Sequence, residues 1–164
     1  MKLSMRHPFS CTPEAYWKSY WDPGFDAELQ RVSGIQREVL SEEQEGALRV
    51  RRQRFTSNIV LPAAVSSVLG TSKVQYEQKS QIDDAKMTIR WEVVPPVLPD
   101  KIKASGVMRV EATPDGCVQI LEGDVTCAIF MVGSKVESAV ADTLAKAQDG
   151  TAALRRKWLA QQAS

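Results

Sequence analysis

Between Ser134 and Gln162 the hydrophobic positions recur at helical spacing: Val136, Val140, Leu144 and Ala147, then Leu154 and Trp158 after a gap of seven. Steps of three and four put these side chains on one face, so the spacing predicts one amphipathic helix. At 1.5 Å per residue it is about 40 Å long, well beyond the usual globular helix. Ser134 with Glu137 three residues on predicts a capping box at its start. Such a helix cannot bury a stripe on itself. The preceding segments must therefore supply a sheet that wraps it, and a wrapped sheet leaves an apolar hollow.

The residues before it follow a period of two. In Lys2–Cys11, Leu3, Met5, His7, Phe9 and Cys11 share one face of a half-buried strand, and Pro8 suits an edge or a strand end. Thr12-Pro13-Glu14 starts a short helix, with an N-cap, a proline at the first helical position and an acid in the positive first turn. Tyr16, Trp17, Tyr20 and Trp21 make that helix rich in rings; Asp22-Pro23-Gly24 stops it, and Phe25–Val32 forms a second helix ended by Gly34.

Six strands are predicted next. Ile35–Leu40 and Ala47–Phe55 flank a charged turn at Ser41–Gly46; Lys73–Ile82, Lys86–Val94, Lys101–Ala112 and Cys117–Met131 follow. Leu61–Leu69, around Pro62, interrupts the series as a helical turn or a lid-like loop. Alternation turns Val74, Tyr76, Met87, Ile89, Trp91, Val93, Ile102, Ala104, Met108 and Val110 inward. The last strand changes phase near Glu122-Gly123, which predicts a bulge at Gly123. Strand, two short helices, six strands and a long helix make an α+β arrangement, and residues 1–164 suit one domain.

Composition narrows the function. A formal net charge of +1 argues against nucleic acid, which demands a concentrated excess of Lys and Arg. Arg49, Arg51, Arg52 and Arg54 alternate between two strand faces and form no single basic stripe. Residues 1–11 hold no apolar h-region, and no apolar run reaches the length of a membrane span, so a cytoplasmic protein is expected. Cys11, Cys117 and Cys127 are an odd count without metal spacing and fit reduced, buried thiols. With His7 the sole histidine, no metal site and no cofactor are expected.

Three stretches carry a family resemblance. Phe9-Ser10-Cys11-Thr12-Pro13-Glu14-Ala15-Tyr16-Trp17, Asp22-Pro23-Gly24-Phe25, and Gly123-Asp124-Val125 through Phe130-Met131-Val132-Gly133-Ser134-Lys135-Val136-Glu137 resemble the START/Bet v 1-like (SRPBCC) superfamily. In particular they resemble an uncharacterised bacterial branch of it. The resemblance covers essentially the whole chain. It implies the helix-grip fold: a seven-stranded curved antiparallel sheet around a long C-terminal helix, with two short helices after the first strand. It also implies a cavity for a lipid-like hydrophobic molecule, and it transfers no catalytic residue.

The expected cavity lining is Tyr76, Met87, Ile89, Trp91, Met108, Val140, Leu144, His7 and Arg54. Trp91 offers a broad apolar face with one indole donor, and Tyr76 an orienting hydroxyl. His7 points inward as a candidate acid–base group, yet only Asp124 or Glu122 suggests itself as a carboxylate partner. Arg52 and Arg54 share the phase of Leu48 and Val50, which would aim a guanidinium at an anionic headgroup; a bulge would instead turn them to solvent and bring Phe55 inward. Part of the ring cluster Tyr16–Trp21 is expected to pack on Leu61–Leu69 or to stay exposed, where it would suit transient membrane contact. Binding, transport or sensing of a hydrophobic molecule without catalysis is the first reading. A cyclase- or hydrolase-type enzyme using His7 or Tyr76, and a filled-core protein-interaction module, are the alternatives.

Overall fold

The computed structural model describes residues 1–163. Its elements are β1 (Lys2–Phe9), α1 (Pro13–Tyr20), α2 (Pro23–Ser33), β2 (Gln36–Glu45), β3 (Leu48–Val60), α3 (Ala63–Leu69), β4 (Lys73–Asp83), β5 (Thr88–Val94), β6 (Ile102–Thr113), β7 (Gly116–Cys127) and α4 (Gly133–Ala163). The seven strands form one antiparallel sheet in the order β1-β7-β6-β5-β4-β3-β2. β1 and β2 are thus the two edges, and α1–α2 must carry the chain from one edge to the other. α4 lies against β7 and β1 and also meets α2 and α3. This is the helix-grip arrangement.

Local chemistry sets the helix limits. The Thr12 hydroxyl accepts the Ala15 amide at 3.2 Å, the Asp22 carboxylate accepts the Gly24 amide at 2.8 Å, and a proline follows each cap. Gly34 ends α2 at φ 69°, a left-handed conformation that glycine adopts without Cβ strain. α2 buries Phe25 and Leu29, and the Phe25 ring meets Trp158 of α4 edge-on at 5.8 Å.

Several expectations need correction. The capping box does not form: α4 begins at Gly133, so Ser134 is already inside the helix, and Glu137 accepts the Cys127 amide at 2.9 Å. β7 ends at Cys127 rather than Met131. β5 begins at Thr88, leaving Met87 in the preceding turn at φ 50°. The β2–β3 strands extend to a two-residue turn, Gly46-Ala47, with the register shift of that hairpin between Val39 and Ser41.

No bulge interrupts β7 at Gly123, since its register with β1 and β6 runs unbroken through that residue. The change of phase has another cause: Cys117, Val118, Gln119, Ile120 and Leu121 are all buried, so both faces of the strand are covered there. Gly123 instead makes room. Trp91, Gly106 and Gly123 stand side by side across β5, β6 and β7. A Cβ on Gly106 would lie 2.0 Å from the Glu122 carbonyl oxygen and 2.7 Å from Trp91 Cζ2; one on Gly123 would lie 2.7 Å from the same ring atom. The two glycines form the bed of the indole.

Candidate functional site

Between the inner face of the sheet and α4 lies a cavity of about 100 Å³. A second hollow of about 100 Å³ shares Val74, Tyr76, Val93, Thr143 and Leu144 with it and extends to Leu61, Leu69 and Val97 beside α3. Pockets for drug-sized ligands usually hold roughly 300–1,000 Å³, so this one is slim.

Of the expected lining residues, Tyr76, Ile89, Trp91, Met108 and Leu144 line the main cavity, and Val140 lines the second with Tyr76 and Leu144. Three line neither. Met87 is in the turn before β5, half-buried against the core. His7 is buried, but it bridges Gln119 Oε1 at 2.9 Å through Nδ1 and Asp149 Oδ1 at 2.7 Å through Nε2. Its partner comes from α4; Asp124 binds Lys2 and Glu122 binds Arg109. The imidazole thus ties β1, β7 and the helix together.

Arg54 faces the other side of the sheet, within salt-bridge reach of Glu38 and Glu77. The phase assumed for β3 was inverted. Its odd positions turn inward, so Phe55 lines the cavity with no bulge in the β3–β4 register from Arg49 to Ser57. Arg49 and Arg51 then lie over the Trp21 ring, at 4.6 and 4.8 Å from its centroid, and pair with Glu42 and Asp84.

The aromatic helix is packed, and not against Leu61–Leu69. Tyr16 and Trp17 are buried and Tyr20 and Trp21 half-buried. Trp17 Nε1 donates to Asp84 Oδ1 at 3.0 Å, while Tyr16 and Tyr20 line the cavity. Burial pushes the Tyr76 hydroxyl up to about 12 and the Tyr16 hydroxyl well above its ordinary range, so both are neutral donors at physiological pH. Cys117 and Cys127 are buried and Cys11 half-buried; all three are free, and burial with the neighbouring Cys11 thiol raises Cys117.

Sequence reasoning missed Arg155 and Arg37. Arg155 is 2 % exposed, yet its guanidinium has no carboxylate within salt-bridge distance among the described residues. It donates to Ser19 Oγ at 3.1 Å and sits over Phe25, Tyr16 and Tyr20, at 3.9, 5.3 and 5.4 Å from the ring centroids. Arg37, its guanidinium 5.7 Å from the Tyr20 centroid, pairs with Asp26 through Nη2 while its buried Nε has no partner. Trp91 Nε1 is likewise buried and unpartnered. The only signal for Arg155 was the seven-residue gap in the α4 stripe.

The cavity thus combines largely apolar walls with the amides of Gln78, Gln119 and Gln148 and the guanidinium groups of Arg37 and Arg155. Among the described residues no helix is long and apolar enough to cross a membrane, and no three His, Cys, Asp or Glu side chains group to hold a metal ion.

Solved structures of low identity share the fold. TTHA0849 from Thermus thermophilus matches with a TM-score of 0.70 at 14 % identity over 100 % of both chains. Ara h 8.0201 matches with a TM-score of 0.66 at 13 % identity over 98 % of both. The di-domain ARO/CYC StfQ from the steffimycin biosynthetic pathway matches with a TM-score of 0.68 at 11 % identity, over 99 % of this chain and 51 % of that one. At such identities the likeness speaks for the Bet v 1-like helix-grip fold alone. No curated protein matches the chain. Residues 4–159 match the family described as "Protein of unknown function (DUF2505)", and the chain belongs to that family.

Proposed function

We propose that this protein binds one slim hydrophobic molecule between its sheet and α4, and carries or senses it without chemical change. The observation that supports this most is the cavity itself, walled by Phe55, Ile89, Met108, Leu121 and Leu144, with the buried Trp91 indole N–H lacking a partner. The second hollow, bounded by Leu61, Leu69, Pro96 and Val97, offers an apolar path of access beside α3. Ara h 8.0201 and StfQ share the architecture, and StfQ is itself an ARO/CYC of a biosynthetic pathway.

The small volume favours a second reading, a filled-core module that acts through its outer surface. A neutral fluorescent probe, N-phenyl-1-naphthylamine, separates the two. Uptake with enhanced emission, abolished in Ala147→Trp, supports the binding reading, because Ala147 lines the cavity from α4. Absence of uptake by a folded wild type supports the filled core.

A further inference from the structure

Every buried polar side-chain atom without a partner among the described residues is a nitrogen donor: Trp21 Nε1, Arg37 Nε and Trp91 Nε1. Two of these three residues, Arg37 and Trp91, line the main cavity, together with Arg155. No Asp or Glu lines that cavity. Arg37 and Arg155 therefore line it as cations, and Asp26, bonded to Arg37 from outside that lining, is the one carboxylate paired with either among the described residues.

The two cations are gathered at one place. Both guanidinium carbons lie within 6 Å of the Tyr20 ring centroid, at 5.7 Å for Arg37 and 5.4 Å for Arg155. Asp26 neutralises Arg37 through one terminal nitrogen. Arg155 has only a serine hydroxyl and ring faces. A buried charge held by neutral partners alone carries a desolvation cost that a bound counter-charge would offset. Away from Tyr20, Val74, Val93 and Leu144 line both this cavity and the second hollow, which Val140 also lines and which reaches Leu69 of α3.

Resting on the binding reading above, we infer that the ligand is a single-chain amphipathic oxyanion whose headgroup pairs with Arg155 and Arg37 beside Tyr20, and whose tail runs along the apolar channel towards α3. A cavity this small has room for one chain and not for a two-chain lipid. A carboxylate and a phosphate head share the required chemistry, since each accepts several charge-assisted hydrogen bonds from guanidinium donors.

The test compares dodecanoate, dodecyl phosphate and dodecanol as competitors of bound N-phenyl-1-naphthylamine. At least one anion displaces the probe from the wild type at a concentration lower by about tenfold or more than dodecanol requires. The more effective anion names the headgroup. Arg155→Met and Arg37→Gln each bring the anion close to dodecanol, while Arg155→Lys keeps part of the preference. Should Arg155→Met not fold, Arg37→Gln carries the comparison. Equal displacement by all three chains overturns the headgroup assignment and leaves the cavity reading standing. If neither the probe nor any chain binds the folded wild type, both fall.

Discussion

The guanidinium carbon of Arg155 lies 3.9 Å from the centre of the Phe25 ring, which ties the sheet-facing side of α4 to the core of α2. Ring contact of this kind is worth about 2 kcal/mol when desolvated, and the Ser19 hydrogen bond adds about 1.5–3 kcal/mol. Desolvating an unpaired guanidinium costs several kcal/mol. These terms nearly cancel. Arg155→Met should therefore leave stability within about 1 kcal/mol of wild type by urea unfolding. A loss above about 3 kcal/mol would identify Arg155 as a structural anchor rather than a residue kept for binding.

Gly106→Ala should be among the most damaging single changes. Its new methyl would meet the Glu122 carbonyl at 2.0 Å as well as the Trp91 ring, and backbone cannot give as a flexible side chain does. A loss of about 3 kcal/mol or more in thermal unfolding is expected. A variant as stable as wild type would show that the indole does not rest on this bed.

His7 and Asp149 should differ in importance although they bind each other. The Asp149 side chain is 70 % exposed, so Asp149→Ala should cost under about 1 kcal/mol. His7→Ala empties a buried site and strips the buried Gln119 amide of its partner, and should cost about 2–3 kcal/mol. Equal losses, measured by urea unfolding, would contradict this division.

Alkaline pH should weaken the fold through its tyrosines. In the unfolded chain a tyrosine ionises near 10, whereas burial raises Tyr76 to about 12 in the native state. Below the unfolded value both states hold the proton and the contribution is intact. Between the two values the native protein holds a proton that the unfolded chain has released, so stability falls as pH rises. Tyr16, raised still further, acts in the same direction. Melting temperature recorded from pH 9 to 12 should drop above about 10, and more gently in a Tyr16→Phe, Tyr76→Phe double variant. Identical slopes would remove burial of these hydroxyls as the cause.

Much of the fold was legible because its signals are local and periodic. Thr12-Pro13 and Asp22-Pro23 mark real helix starts, and Gly34 closes α2 as its type suggests. The inward rows Ile89-Trp91-Val93 and Ile102-Ala104 keep their phase because those strands are apolar on one side only. Phase failed on β3, where arginines occupy both faces and Leu48 and Val50 gave the wrong one. No local text announces that Trp21 would fold over to cover Arg49 and Arg51. It failed on β7 where both faces are buried.

The polar end of the cavity was hidden for a related reason. Selecting apolar residues on α4 jumped from Ala147 to Leu154, whereas the face that meets the cavity passes through Gln148, Thr151 and Arg155. Leu154 is only half-buried. A buried arginine breaks the rule by which helix faces are read, and the break coincides with the residues assigned to the ligand.

The most direct measurement is native mass spectrometry of the freshly purified protein, with organic extraction and identification of whatever dissociates. A single-chain carboxylate or phosphate in the extract, with its adduct lost from Ala147→Trp, is the expected result. A protein that stays at its bare mass, even after incubation with dodecanoate, dodecyl phosphate and dodecanol, would contradict the cavity as a binding site.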